Sequence, residues 1–159
     1  MGGNGMAMLT NAVAASPVSN KDIVEELYDV FRSKDYDAFR RICTPDLEWI
    51  QNEGFPHGAT HRGPDAVINN VFNAFHHEWD TFSFRIEQLF DAGTTVIVLG
   101  AYVGRHRATQ KDMRAAAAHV YDLRDGKIFR FRMFADTKTI WAALEGPQNP
   151  SDGLRAEHL

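Results

Sequence analysis

A two-residue turn constrains this chain more than any other feature. Asp125-Gly126 stands between two runs of alternating side chains, residues 113–123 and 128–136. Asp-Gly in that setting favours a tight hairpin whose central residues both take positive φ. Pairing Arg124 with Lys127 then puts His119 opposite Arg132, Tyr121 opposite Arg130, Ala117 opposite Phe134 and Ala115 opposite Asp136. Directly opposed residues share a face, so His119, Arg132 and Asp136 fall together as a candidate acid/base site. A slip of one residue would move one strand's side chains to the other face, so this partnership depends on the register.

Along the second strand, Ile128, Arg130, Arg132, Phe134 and Asp136 point one way and Phe129, Phe131, Met133 and Ala135 the other. The second set reads as core. The first passes from a solvated face near the turn to the wall of a pocket farther along.

Upstream, Asn20 is placed to cap a helix whose Ile23, Val24, Leu27, Tyr28 and Phe31 repeat at helical spacing. A short helix over 36–42 stops before Pro45, and residues 47–50 read as a strand. Residues 52–63, with Pro56 and several glycines, read as a loop. Pro64 opens a helix that carries Val67, Ile68, Val71, Phe72 and Phe75 and ends near His76. Strands follow over 82–86 and 95–103, then the hairpin, then a short helix around Ile140, Trp141 and Leu144. Helices before a meander of long strands predict an α+β domain: a curved, antiparallel-rich mixed sheet wrapped into a cone, with three to four helices on one face. Aromatic residues with a few convergent polar groups suit a ligand cavity inside such a cone. Tyr28, Trp49, Phe72, Phe75 and Phe134 are the expected substrate-binding wall.

At 159 residues and 44% hydrophobic content, one domain is expected. It spans 20–146, between a disordered leader over 1–19 and a loose tail over 147–159. The net charge of −4, with dispersed basic residues, gives no nucleic-acid footprint. The single cysteine, Cys43, excludes an intrachain disulfide, suits a cytoplasmic protein and reads as a buried, inert thiol. No apolar run reaches membrane-spanning length, and no basic start of a secretory signal precedes Lys21. His57 and His61 flank Gly58, a poor frame for a metal, while His76-His77-Glu78 fits a helix end. A metal is not expected. Phosphate loops and the Gly-x-Ser-x-Gly elbow are absent from the sequence.

The chain over residues 20–144 resembles the nuclear transport factor 2-like superfamily, and within it the SnoaL-like polyketide cyclases and ketosteroid isomerase-related proteins. Residues 20–47 look like the opening helix pair, Trp49 like the aromatic after it, and His61-Arg62-Gly63-Pro64-Asp65-Ala66 like the glycine step into the third helix. Ala118-His119-Val120-Tyr121, Arg124-Asp125-Gly126-Lys127-Ile128 and Phe134-Ala135-Asp136-Thr137 look like the C-terminal hairpin. The resemblance implies a cofactor-independent enzyme with Asp136 as general acid/base and His119 nearby. It also implies a hydrophobic small-molecule ligand, and a homodimer formed through an exposed sheet face, for which Phe129, Phe131 and Met133 offer apolar surface. Met133 departs from the family, standing where relatives often have a polar residue. Tyr28 is a candidate oxyanion donor, without the protonated acid of the isomerases.

An ordinary aspartate, with a pKa of about 3.9, is a weak base for a carbon acid. Arg132 beside Asp136 would keep it ionised. The substrate should therefore carry an acidified carbon, as in a β-dicarbonyl or aromatic polyketide ester. Asp136 would take the proton, and His119 or Arg132 would stabilise the enolate oxygen. Bland roles compete: Asp136 as a helix cap, Arg132 in a plain ion pair, His119 as a satisfied sheet histidine. Three functions follow: a cyclase, isomerase or lyase; a non-catalytic small-molecule binding or dimerisation module; and an epoxide hydrolase.

Overall fold

Ser19 starts the first helix. Its hydroxyl accepts from the Asp22 N–H at 3.1 Å while the Asp22 carboxylate accepts from the Ser19 N–H at 3.2 Å, a reciprocal cap that satisfies two otherwise orphaned donors. The cap therefore falls one residue before Asn20, whose side chain instead donates to the Gly93 carbonyl at 2.8 Å. The computed structural model describes residues 16–146, so the expected leader up to residue 15 and the tail from 147 lie outside the described residues.

From that cap run α1 (Asn20–Ser33), α2 (Tyr36–Ile42), capped by Asp35, and β1 (Cys43–Gln51). A short β2 (Thr60–Arg62) occupies part of the stretch expected to be loop, because Glu48 and Arg62 pair across the strands, bonded at 3.0 Å. The helix opened by Pro64 is a run of three parts: α3 (Pro64–Val67), a π-helical turn (Ile68–Phe72) and α4 (Asn73–Glu78). Both Val71 and Phe72 are buried on this widened turn, a feature frequent at functional sites. Then come β3 (Trp79–Ala92), β4 (Thr95–His106), β5 (Asp112–Arg124), β6 (Lys127–Ala135) and α5 (Thr137–Leu144).

The six strands form one sheet in the order β2-β1-β6-β5-β4-β3, antiparallel except where β1 runs parallel to β6. The sheet is mixed and the fold α+β, as the sequence predicts. β3 and β4 bend around an irregularity between Ile86 and Gln88. Beside it, Gly100 leaves room for the Phe84 ring, which a Cβ there would meet at 2.8 Å.

The hairpin turn forms as expected, with φ of 51° at Asp125 and 73° at Gly126. Leu123 pairs with Ile128, but Asp122 pairs with Arg130, so Phe129 is an extra residue on β6. From there the register moves by one: His119 opposes Met133 and Tyr121 opposes Phe131. This corrects the expected pairing of His119 with Arg132. The cause is burial. The bulge lets Ile128, Phe131 and Met133, all nearly inaccessible, face the core together despite the break in alternation. Each such burial contributes roughly 1.5–3 kcal/mol.

The opposite face of the hairpin carries the charges. Asp122 accepts from Thr95 Oγ1 at 2.7 Å, Arg130 Nε at 2.7 Å and an Arg132 terminal nitrogen at 3.3 Å. Burial pushes its carboxyl up, but the Thr95 hydroxyl and the two guanidinium groups outweigh burial and hold it below the usual carboxylate range. Phe131 and Met133 therefore offer no apolar surface to a partner. Leu99 and Phe134 are exposed instead, aligned across the outer face through Ala118.

Candidate functional site

Tyr121 and His119 on β5 and Tyr102 on β4 bring polar groups to buried positions that lie against the core. Tyr28 reaches them from α1, whose Leu27, Tyr28 and Phe31 cover the open side of the cone. Trp49 and Gln51 approach from β1, and Val71, Phe72 and Phe75 from the π turn and α4. None of the residues lining this cavity is Asp, Glu, Lys or Arg.

His119 is held at both ring nitrogens. Tyr28 Oη lies 2.8 Å from Nδ1 and Tyr102 Oη 2.7 Å from Nε2. The Tyr121 hydroxyl donates to Tyr28 Oη at 2.9 Å, and the Tyr102 hydroxyl donates to Met133 Sδ at 2.9 Å. With those two protons placed, the Tyr28 hydroxyl donates to Nδ1 and the ring proton sits on Nε2, donating to Tyr102. Every proton in the chain is used once. Phe84 stacks on the imidazole with centroids 4.0 Å apart.

Burial in this apolar wall pushes His119 down to about 3, so the ring is neutral at neutral pH. Burial likewise pushes Tyr28, Tyr102 and Tyr121 upward, so all three keep their protons. The cavity is uncharged, and a charged ligand would lose hydration without a counter-ion to replace it. With the side chains as they stand, its free space is about 40 Å³. That holds a few waters rather than a ring. Phe31, Phe75, Phe82 and Phe84 are only partly buried, and their rotation is the route by which the space could enlarge.

The expected site residues separate. Tyr28, Trp49, Phe72, Phe75 and His119 line the cavity. Arg132 is on the outer face with Asp122. Asp136 is exposed at the start of α5, where its carboxylate accepts from the Thr139 N–H at 3.2 Å and the Thr139 hydroxyl at 2.6 Å. Those bonds, the hydroxyl first, hold its carboxyl below the usual range, as befits a cap. Phe134, 55% exposed, is on the outer face too. The common face of His119, Arg132 and Asp136 does not form, because the bulge reverses the parity of β6 against β5.

Tyr102, Tyr121 and Gln51 were missed by the sequence reading. Their signal was parity: Tyr121 is two residues from His119, and Gln51 two from Trp49 on a strand that buries alternate residues. His57, a weak metal candidate, bonds Glu78 at 3.0 Å. Among the described residues no group of three or more His, Cys, Asp or Glu could hold a metal ion.

A family model described as a SnoaL-like domain matches residues 24–131. A structure from Burkholderia thailandensis, described as an NTF2-like protein, is 35% identical with a TM-score of 0.76, over 80% of this chain and 98% of that one. A proposed SnoaL-like polyketide cyclase from Shewanella putrefaciens is 16% identical with a TM-score of 0.68, over 79% and 95% of the two chains. TerC, co-crystallised with polyporic acid, is 22% identical with a TM-score of 0.71, over 80% and 98%. The last two likenesses are of fold alone. No curated protein matches the chain.

Proposed function

The chain belongs to the SnoaL-like domain family, and on that premise we propose that its cone binds a small, uncharged, largely apolar carbonyl compound. One observation carries this reading: the ordered chain Tyr121, Tyr28, His119, Tyr102 ends on the thioether of Met133. A thioether is a weak acceptor. A ligand oxygen is a better one, and the Tyr102 hydroxyl, with the imidazole N–H behind it, is the donor it would take. The co-crystallisation of a neighbour of this fold with polyporic acid supports a small-molecule occupant.

The test is calorimetric titration of a panel of uncharged aromatic ketones into wild type and Tyr102→Phe. Losing one hydrogen bond to the ligand should weaken binding about 3- to 10-fold. Equal affinity for the two proteins would remove Tyr102 from the reading.

A second reading, catalysis of the cyclase, isomerase or lyase type, draws support from the same chain, because a hydroxyl backed by an imidazole can stabilise an enolate oxygen. A base is harder to find. No carboxylate lines the cavity, and His119, at about 3, is weakly basic. The epoxide hydrolase reading also lacks its carboxylate there. Catalysis predicts Tyr102-dependent deuterium uptake from heavy water into an enolisable ketone; no uptake across the panel leaves binding as the function.

The homodimer is proposed through the outer face, where Leu99 and Phe134 would be covered. Light scattering checks it, and a monomeric mass at micromolar concentration would count against it. No described helix is long and apolar enough to cross a membrane. The buried free Cys43 is consistent with the proposed cytoplasmic location.

A further inference from the structure

The tyrosine–histidine chain is one polar pole of the cavity; the strand on the other side of β6 carries a second. Trp49 is 4% exposed and lines the cavity, yet its indole Nε1 is buried without a hydrogen-bond partner among the described residues. The rings packed on it, Phe131 stacked at 3.8 Å and Phe39 and Phe72 edge-on, provide no oxygen or nitrogen acceptor. A buried donor left in that state costs free energy, and native interiors rarely tolerate it without a reason. Two residues along the same strand stands Gln51, 5% exposed and also lining the cavity. Alternation calls for an apolar side chain there, and a primary amide stands instead.

Strand pairing fixes the separation of the two poles. Gln51 pairs with Met133 and Met133 with His119, so the three stand in one row across β1, β6 and β5. Gln51 and His119 are thus two strand spacings apart, roughly 10 Å between backbones. Met133, the acceptor of the Tyr102 hydroxyl, lies between them.

We infer that Trp49 Nε1 and the Gln51 carboxamide form a second anchoring subsite, which selects ligands bearing an oxygen acceptor at the edge remote from Tyr102. The ligand class is a planar, uncharged ring compound with hydrogen-bonding oxygens at opposite ends. The inference rests on the proposed role of the cone as a ligand receptor. It makes Trp49 and Gln51 specificity residues rather than packing.

The experiment compares two probes of one ring, 4-hydroxyacetophenone and 4-ethylphenol, which share the phenol and differ in the carbonyl. Affinity is measured by calorimetry in wild type, Trp49→Phe and Gln51→Leu, each checked for folding by circular dichroism. The carbonyl should improve wild-type affinity about 3- to 10-fold. Each variant should lose that preference while binding 4-ethylphenol as wild type does. The indole N–H resonance absent from Trp49→Phe should move downfield in wild type with 4-hydroxyacetophenone and stay with 4-ethylphenol. Equal wild-type affinity for the two probes, or variants that weaken both alike, overturns the subsite and leaves the receptor reading standing. No binding of either probe overturns both.

Discussion

His119 faces Met133 across the β-hairpin because Phe129 is one residue too many on β6. The turn dictates one register and the core another, and the bulge reconciles them. Deleting Phe129 would leave Ile128, Phe131 and Met133 in unbroken alternation with the charged outer face. The prediction is that the deletion variant folds and keeps the His119 environment. It should lose only about 1–2 kcal/mol, from the contacts of Phe129 with the Arg124 and Arg130 guanidinium groups. Urea denaturation measures this; a variant that fails to fold would show that the bulge itself holds the hairpin.

Stability should depend on pH through His119. Its folded value of about 3 is below the roughly 6.5 of an unfolded histidine, so the unfolded chain takes the proton first. The contribution is whole above about pH 6.5 and is lost as pH falls from there toward 3, at up to about 1.4 kcal/mol per pH unit. His61 and His76, also held down by burial, act in the same direction. The lowered carboxylates act mainly below about pH 4. Between pH 7 and 4.5, His119→Gln should therefore show a shallower decline in urea midpoint than wild type. Identical declines would contradict a proton-free buried ring.

Removing the imidazole should strand its neighbours. His119→Phe leaves the Tyr28 hydroxyl without its acceptor and Tyr102 without its donor, at a cost of about 1–3 kcal/mol. Adding Tyr28→Phe should cost less than the two single losses summed, because the stranded donor is removed with it. A double-mutant cycle by chemical denaturation reads the coupling; strict additivity would mean that the two side chains do not share a bond.

Asp136 distinguishes capping from catalysis by choice of substitution. Asn is as good an N-cap as Asp and Ala is not, so Asp136→Ala should cost about 1 kcal/mol and Asp136→Asn little. Neither should alter ligand affinity. Loss of binding or turnover in the Asn variant would bring the carboxylate back to the chemistry.

Much of this fold is legible in the chain. The periodicity of Ile23, Val24, Leu27 and Tyr28, the proline that opens α3 and the Asp125-Gly126 turn are local signals, and local physics decides them. What stays hidden is decided at a distance. A bulge is set by which of two registers buries more, and no residue between Lys127 and Arg130 announces it. Asp136 and Arg132 were therefore read onto the pocket face, although the first caps a helix and the second pairs with Asp122. The tyrosines were overlooked because a hydroxyl on an inward position looks like core until the side chain it bonds is known. His119 came into the site for a reason that the register did not supply: its strand parity matches Tyr121 and Leu123, both buried.

The most direct measurement is the ring-nitrogen NMR spectrum of the protein labelled with ¹⁵N-histidine, followed from pH 8 to 4.5, with His119 assigned by its absence in His119→Gln. A neutral ring with its proton on Nε2, unchanged across that range, is what the Tyr28 and Tyr102 bonds require. Titration near pH 6.5, or a proton on Nδ1, would contradict the ordered chain on which the cavity's chemistry depends.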